Sequence, residues 1–254
     1  MISIIKSKKF IGRTLSIAAA LALWQAAATL VDMRYLLAAP TDVLRVLKTI
    51  LSSPSTADIL WTSFSGIVLG FFYGLVAGVL LGILAGRFSL VETLLWPYML
   101  TIKSVPVASF IVIALIWISS SALSTFISFL IVLPIIYNNI LGGIGSADRK
   151  MTEMADVFSL SLPQRLLYIW MPAVKPFLLS GVHTAIGLAF KSGVAAEVIA
   201  IKSGTVGDMI LDAKTYYLMA DLFAWTILII ALSALFERIF SGVLRAGFAG
   251  LERL

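Results

Sequence analysis

Residues 66–86 read GIVLGFFYGLVAGVLLGILAG, an uncharged stretch in which every fourth residue is a glycine. An α-helix of about 20 residues is long enough to cross the hydrocarbon core of a bilayer. Glycines four residues apart leave a groove without side chains, so a second helix can approach closely and gain dispersion contacts in lipid. The spacing predicts a helix-packing surface, with the lining of a transport path as the alternative, and its members are Gly66, Gly70, Gly74, Gly78, Gly82 and Gly86.

The composition indicates that the whole chain lies in a membrane. Of its 254 residues, 60% are apolar and only 13% are charged, and the mean hydropathy is +1.04. A soluble domain cannot keep so much apolar surface away from water. We therefore predict an all-α membrane protein, a polytopic bundle of about six transmembrane helices in one domain, 1–254, with its core at 60–240. The predicted spans are 13–31, 60–86, 94–118, 123–143, 176–200 and 219–237.

Basic residues predict the orientation of these spans. Lys and Arg concentrate in short segments on one side of the predicted membrane, and such segments face the cytoplasm. The net charge of +6 therefore reflects topology and does not indicate a nucleic-acid partner. Both termini and the 145–172 loop are expected to be cytoplasmic, because these segments carry Lys6, Lys8, Lys9, Arg13, Arg149, Lys150, Arg165, Arg238, Arg245 and Arg253. The first run, 13–31, lacks an A-x-A-like cleavage site and is predicted to be a retained helix and not a signal peptide.

Two segments on the opposite side are expected to be more than connectors. Pro40-Thr41-Asp42 resembles a helix start, and apolar residues then recur at helical spacing up to Ile50, which predicts a short helix on the membrane surface. Lys202–Leu218 mixes turn residues with Met209, Ile210 and Leu211 and is predicted to form a surface or re-entrant piece.

Several classes of site are excluded by what the sequence lacks. There is no cysteine and only one histidine, so neither a disulfide framework nor a metal centre of cysteines or histidines is expected. The spans contain no serine–histidine–aspartate set and no paired catalytic carboxylates, so no catalytic residue is predicted. The chain also lacks the G-x-x-x-x-G-K-[ST] loop that cradles phosphates, so no ATP-binding site of that kind is predicted.

The loop at 145–172 is the longest polar interruption between the predicted spans. Met151, Met154, Ala155 and Phe158 form an apolar stripe at helical spacing, and Thr152 or Ser146 is suited to cap the helix. We place this helix at Glu153–Ser161, with Pro163–Pro172 returning the chain to the fifth span. A short amphipathic helix in such a loop either lies on lipid or docks into a partner's groove. Its low basicity favours the partner.

This loop resembles that of the binding-protein-dependent permeases of ABC importers, whose signature is Glu-Ala-Ala, three residues, Gly, and later an Ile-x-Leu-Pro-like end. Glu153-Met154-Ala155 and Ile169-Trp170-Met171-Pro172 stand at matching places. Ser159 replaces the family's glycine and adopts positive φ less freely, which leaves the exit angle of the docking helix open. Further segments of the chain resemble the nitrate/sulfonate/taurine branch of this family. They are Ala39-Pro40-Thr41, Ser104-Val105-Pro106, Leu133-Pro134 with Asn138, and Glu197.

The resemblance implies a type I ABC importer permease in a bacterial inner membrane. It implies two permease copies, expected to be a homodimer, an external solute-binding protein, and separate ATPase subunits that bind ATP and Mg²⁺, with no cofactor in the permease itself. The solute is expected to be a nitrate-, sulfonate- or taurine-like anion or a small heterocycle. The alternatives are a membrane-coupling subunit of a vitamin-type importer and a secondary carrier. The residues that then couple to the ATPase are Glu153, Met154, Ala155, Asp156, Phe158, Ser159 and Leu160.

Polar groups and prolines inside the spans are the candidates for the transport path, since ionised groups at membrane depth are costly unless paired or hydrated. Lys191 is expected to contact the path or an anionic substrate, or to form a structural ion pair, or to snorkel. Glu197 is a second candidate for the path, and the alternative is that its side chain reaches the membrane–water interface. Pro106 and Asn138 complete the candidates. For His183 a hydrogen-bonded packing role is favoured over proton relay.

Overall fold

A computed structural model describes the backbone of residues 2–31, 33 and 35–251, and the side chains of this range except those of 2–11, 13, 149, 152, 162 and 251. The Thr152 side chain lies outside this set. So do the side chains of six basic residues used to predict the orientation, Lys6, Lys8, Lys9, Arg13, Arg149 and Arg253.

The described chain is almost entirely helical. In chain order the elements are α1 Ile2–Val31, α2 Pro40–Ser52, α3 Ser55–Arg87, α4 Ser89–Ser104, α5 Val107–Ala114, α6 Ser120–Gly145, α7 Arg149–Val157, α8 Leu162–Arg165, a π-helical segment Leu166–Trp170, α9 Met171–Ala200, α10 Val206–Thr215 and α11 Met219–Leu251. These elements form two compact units, Met1–Asp58 with Met209–Leu228 and Ile59–Asp208 with Ile229–Leu254.

The candidate membrane spans follow the predicted ones with one difference. Five described stretches are long and apolar enough to cross a membrane, namely Thr14–Val31, Ser55–Arg87, Ser120–Gly145, Pro163–Ala200 and Met219–Gly250. The stretch predicted as a single span over 94–118 is instead the pair α4 and α5, which meet at 101°. The cause is Pro106, which lacks an N–H and forces Val105 out of the helical region, to φ −76° and ψ 133°.

The glycines of α3 lie directly against α6. Cβ atoms built on Gly74, Gly78 and Gly82 would stand 2.7–2.8 Å from the Cβ atoms of Val132, Ile136 and Ile140. Gly66 faces Ser124 and Gly86 faces Ile144 in the same manner. Each partner follows its glycine by the same interval, 58 residues, as in 132 − 74 and 140 − 82. The two helices therefore run parallel, in a register that repeats every fourth residue on both.

α6 is also packed against α9, which runs in the opposite direction. Cβ atoms built on Gly143 and Gly181 would stand 2.7 Å from the Val174 Cα atom and the Asn139 Cγ atom. As residue numbers rise along α6 they fall along α9. Six phenylalanines extend this packing to α11, because their rings form edge-to-face and tilted pairs with centroids 5.2–6.4 Å apart. They are Phe64, Phe71, Phe72, Phe190, Phe236 and Phe240.

The unit that contains α1 and α2 has its own anchors. The predicted surface helix is present as α2, with Val43 and Ile50 buried on one face and Leu44 and Leu51 exposed on the other. Trp24 of α1 donates its indole N–H to the Ala38 carbonyl at 3.0 Å. Its ring lies 5.3 Å from that of Phe223. The polar edge of Trp24 thus fixes the chain that leads into α2.

We predict that Gly82→Ala destabilises the protein by about 1–3 kcal/mol, the usual cost of overpacking. The added Cβ would stand 2.7 Å from both Cβ and Cγ2 of Ile140, and a β-branched residue on a helix cannot rotate away. Thermal unfolding of the purified protein in detergent measures the effect. The control is Gly242→Ala, where a Cβ meets nothing within 4 Å. Equal melting temperatures for the two variants would contradict the α3–α6 contact.

Candidate functional site

The helix in the 145–172 loop begins at an aspartate cap. Asp148 Oδ1 accepts a hydrogen bond from the Lys150 backbone N–H at 2.9 Å, and α7 runs from Arg149 to Val157. The predicted docking helix, Glu153–Ser161, is therefore corrected to one that begins and ends earlier in the chain. A carboxylate directly before the first turn satisfies an otherwise unpaired backbone N–H. Ser146 caps the preceding helix instead, since its hydroxyl donates to the Gly143 carbonyl at 2.7 Å.

α7 ends in a left-handed turn at Ser159, where the resembled signature has glycine. Ser159 has a φ of 51°. Its N–H donates to the Asp156 carbonyl at 3.1 Å, and the Leu160 N–H donates to the Ala155 carbonyl at 2.9 Å. These two bonds form a Schellman motif, which favours glycine because a β-carbon in the left-handed region costs about 1–2 kcal/mol. The serine thus takes the exit angle that a glycine would take, under strain.

Arg165 binds this turn from the following helix. Its Nε donates to the Leu160 carbonyl at 3.1 Å and its guanidinium to the Ala155 carbonyl at 3.3 Å. The same guanidinium pairs with Asp156 Oδ1 at 2.7 Å. The sequence had suggested Arg165 only as a topological marker. Charge-assisted bonds to helix-terminal carbonyls hold the end of α7 in a fixed place.

A second brace fixes the start of α8. Gln164 Oε1 accepts from both the backbone N–H and the hydroxyl of Ser161 at 2.8 Å, which is the reach-back half of a capping box. The π-helical segment then leads into α9, with Ile169 and Trp170 buried. The loop therefore folds as a braced helix–turn–helix within the part of the chain that the structure describes.

One face of α7 carries apolar side chains that no described residue covers. Ala155 is fully buried, whereas Met151, Met154, Val157 and Phe158 are 46%, 44%, 80% and 71% exposed. The predicted stripe is thus altered, because Ala155 faces inward and Val157 joins the exposed set. Val157 was missed although it follows Met154 at helical spacing. Glu153, Asp156 and Ser159 are exposed around this face, and Leu160 is half-buried.

Glu197 is fully buried and does not reach an interface. Its Oε2 accepts hydrogen bonds from the Ser63 hydroxyl at 2.8 Å and the Gly207 N–H at 3.3 Å. Ser63 Oγ in turn accepts from the Val206 N–H at 2.9 Å. The carboxylate and hydroxyl together cap the first turn of α10. Gly207 is required there, because any β-carbon would collide with the Glu197 Cβ atom.

The other three path candidates are exposed. Pro106 stands at the break before α5, and the Asn138 side-chain amide donates to the Pro134 carbonyl at 2.5 Å. Lys191 is exposed on α9 and has no carboxylate partner among the described residues. No hydrogen bond or ion pair joins these candidates to one another or to Glu197 within the described chain.

His183 has a partner that the sequence did not indicate. Its Nδ1 lies 2.6 Å from Glu237 Oε1, which joins α9 to α11. The predicted hydrogen-bonded role for this histidine is therefore present, although its side chain is 69% exposed. Among the described residues no group of three or more His, Cys, Asp or Glu side chains is arranged to hold a metal ion.

Residues 78–246 match the protein family described as binding-protein-dependent transport system inner membrane component. The chain belongs to this family of permeases. It is therefore a multi-pass transport subunit of the inner membrane, and the exposed face of α7 lies within the matched region.

Two named proteins are similar to this permease over most of its length. One, SsuC of Bacillus subtilis (strain 168), is named for aliphatic sulfonates transport and is 29% identical over 82% of this chain and 76% of its own. The other, the taurine transport system permease protein TauC of Escherichia coli (strain K12), is 28% identical over 94% and 86%. A crystal structure of an amino acid ABC transporter has the same fold, with a TM-score of 0.60 at 16% identity over 82% of this chain and 98% of that one.

We predict that Ser159→Gly stabilises the folded conformation of the 145–172 loop by about 1 kcal/mol, because it removes the β-carbon from the left-handed region. Ser159→Val should have the opposite effect, since a β-branched residue fits this region worst. Hydrogen exchange at the Leu160 amide reads both changes directly. Ser146→Gly is the control, because Ser146 has a φ of −83° and no strain to relieve; it loses only its bond to the Gly143 carbonyl, so it should not slow exchange at Leu160. Faster exchange in Ser159→Gly would refute the strain.

A second prediction concerns the buried serine of α3. Ser63→Ala removes one donor from Glu197 and the acceptor of the Val206 N–H, and each unmade buried bond costs about 1–3 kcal/mol. Amide exchange at Val206 and Gly207 should therefore rise by about tenfold or more. Ser65→Ala is the matched control on the same helix, since that hydroxyl is exposed and only bonds its own turn. Equal exchange in both variants would show that Ser63 does not cap α10.

Proposed function

We propose that this permease forms the membrane path of an ATP-driven importer and is coupled through the exposed face of α7 to a separate ATPase subunit. The supporting observation is the combination of a braced loop with an uncovered apolar face, Met151, Met154, Val157 and Phe158. The ATPase binds ATP and Mg²⁺, and the permease contributes no cofactor and no catalytic residue.

The chemistry of α7 suits a protein groove. Phe158 and Val157 are 71% and 80% exposed at the helix end, and burying such side chains typically contributes about 1.5–3 kcal/mol each. Glu153 and Asp156 add carboxylates at the edge of this face, where rim charges set register more than affinity. Because Arg165 ties the end of α7 to the chain that continues into α9, movement of the docked helix is passed to a membrane span.

The remaining assembly follows from this docking. An ATPase acts in the cytoplasm, so the 145–172 loop is cytoplasmic, and six spans then place both termini on that side. Two copies of the permease form a homodimer around the path, and an external binding protein delivers the solute. Pro106, Asn138 and Lys191 are exposed in the single chain and face this path, whereas Glu197 supports it from within.

The solute that this permease carries is a small anion of the sulfonate or taurine type. The support comes from the names of the two relatives, which cover most of the chain, and from the exposed, unpaired Lys191 inside an apolar span. A small heterocycle is the second class of solute considered, and Lys191 gives it no specific partner.

We predict that Phe158→Glu removes the ATPase from the purified complex. Loss of a central aromatic anchor typically costs about 2 kcal/mol or more, about 30-fold in affinity, and the added carboxylate opposes burial further. Co-purification of the ATPase and transport-dependent ATP hydrolysis measure the result. Leu51→Glu is the control. Leu51 is also an apolar side chain near the end of a helix and is 58% exposed, but it lies on α2, outside the loop.

The same experiment distinguishes the alternatives. If Phe158→Glu retains both co-purification and stimulated hydrolysis, α7 is not the docking helix. If the wild-type protein takes up solute in vesicles without any ATPase, the chain acts as a secondary carrier.

A further inference from the structure

One face of α9 is polar and exposed, although the helix lies in a long apolar stretch. At 3.6 residues per turn its members fall within an arc of about 100°. The opposite side is buried against the protein, with Val182, Ala185, Ile186 and Ala189 at 0% exposure. We call the exposed side the polar face of α9, and it consists of Ser180, His183, Thr184, Gly187 and Lys191.

Lys191 is the charge on this face without a compensating partner. It lies nine residues before Ala200, the last residue of α9, which is about 14 Å along the helix axis. The surrounding stretch, Pro163–Ala200, is apolar enough to span a membrane. No carboxylate of the described residues pairs with its ammonium group. Ionised groups at such depth face water or a partner because contact with lipid is too costly.

The second ionisable group on the face, His183, has a carboxylate partner. His183 Nδ1 is held at 2.6 Å by Glu237 Oε1 of α11, and the imidazole remains 69% exposed. The pair therefore adds hydrogen-bonding groups to the face. Thr184 lies beside it, and its hydroxyl donates to the Ser180 carbonyl at 3.2 Å, so that its oxygen can still accept from water.

Between His183 and Lys191 the surface opens. A β-carbon built on Gly187 meets nothing within 4 Å, whereas on Gly181 and Gly193 of the same helix it would collide with Asn139 and Ile67. Gly181 and Gly193 therefore serve close packing, and Gly187 does not. A glycine that packs against nothing, between two polar positions, leaves space one side chain wide on the exposed face.

We propose that the polar face of α9 lines a water-filled path and selects small monovalent anions, with Lys191 as the selecting group. This inference rests on the proposed transport function and names the side chain that selects the anionic solute. A single ammonium on a flexible stem attracts an anion while remaining hydrated. One weak site permits release, which conduction through a path requires. A bidentate guanidinium would hold a sulfonate or carboxylate more tightly.

The chain has no cysteine, so an introduced thiol is the single thiol of the permease, and labelling is measured on the permease after the subunits are separated. The test uses Thr184→Cys and Gly187→Cys in the complete transporter in vesicles. Each is treated with two small methanethiosulfonate reagents, one ending in a sulfonate and one in a trimethylammonium. The lipid-facing control is Ile230→Cys on α11, a position that is 61% exposed and flanked by apolar residues.

We expect both thiols of the polar face to react with each reagent and Ile230→Cys to remain unlabelled. Adding Lys191→Gln should lower the ratio of sulfonate to ammonium reaction rates by about tenfold, the size of effect that a focused local charge produces. Lys191→Arg should preserve the ratio. Anion uptake should fall with Lys191→Gln by a similar factor while ATPase co-purification is unchanged.

Three results would overturn the inference. Absence of labelling at both Thr184→Cys and Gly187→Cys would mean that the face is dry. Disulfide formation between two copies at Gly187→Cys, without labelling, would assign the face to the interface between copies. A rate ratio that Lys191→Gln leaves unchanged would remove the anion selectivity. All three can occur in a transporter that still couples uptake to ATP hydrolysis, so the failure of this inference is separable from failure of the proposed function.

Discussion

The close contact between α3 and α6 is the constraint on which the core depends. In lipid there is no hydrophobic drive to bring two helices together, so their approach must be stabilised by dispersion over a long contact. Six glycines on α3 supply that contact, because each receives a side chain or backbone atom of α6. The parallel register then fixes α6, and α6 presents its other side to α9. The position of the polar face of α9 therefore depends on the contact between α3 and α6, because α6 in turn positions α9.

The two ends of α9 are held by different chemistry. Near one end, Arg165 joins the left-handed turn of α7 by charge-assisted bonds. Near the other, Glu197 and Ser63 cap the first turn of α10 inside the protein. Both arrangements satisfy helix-terminal backbone groups with ionised or hydroxylic side chains. A rigid helix fixed in this way at its two ends is suited to transmit displacement from the 145–172 loop to the opposite side.

Strain accompanies these fixed ends. Ser159, Ile201 and Tyr217 all adopt a positive φ, from 50° to 58°. Each follows a helix that ends with the same paired bonds as α7, with Lys202 bonded back to Glu197 and Leu218 to Ala213. Residues with a β-carbon persist in this conformation only where the surroundings determine it. The strain therefore marks three places where the direction of the chain matters more than local stability.

The sequence by itself determined the helical membrane class, the spans and the place of the 145–172 loop. It did so because these depend on hydropathy, length and spacing, which are local properties. It also identified the glycine groove of α3, since the interval of four is visible without a partner. Pro106 is visible in the sequence, but the angle of 101° between α4 and α5 is not, because the proline removes a hydrogen bond without fixing the direction of the chain that follows.

Only the tertiary structure decided which polar groups meet. Glu197 and Ser63 are 134 residues apart, His183 and Glu237 are 54 apart, and no local pattern links such pairs. The start of α7 was misplaced because Asp148, Thr152 and Ser146 are all acceptable caps and local propensity does not choose among them. Likewise, Ala155 and Val157 both fit an apolar stripe. Contact with the rest of the chain buries Ala155 and leaves Val157 exposed.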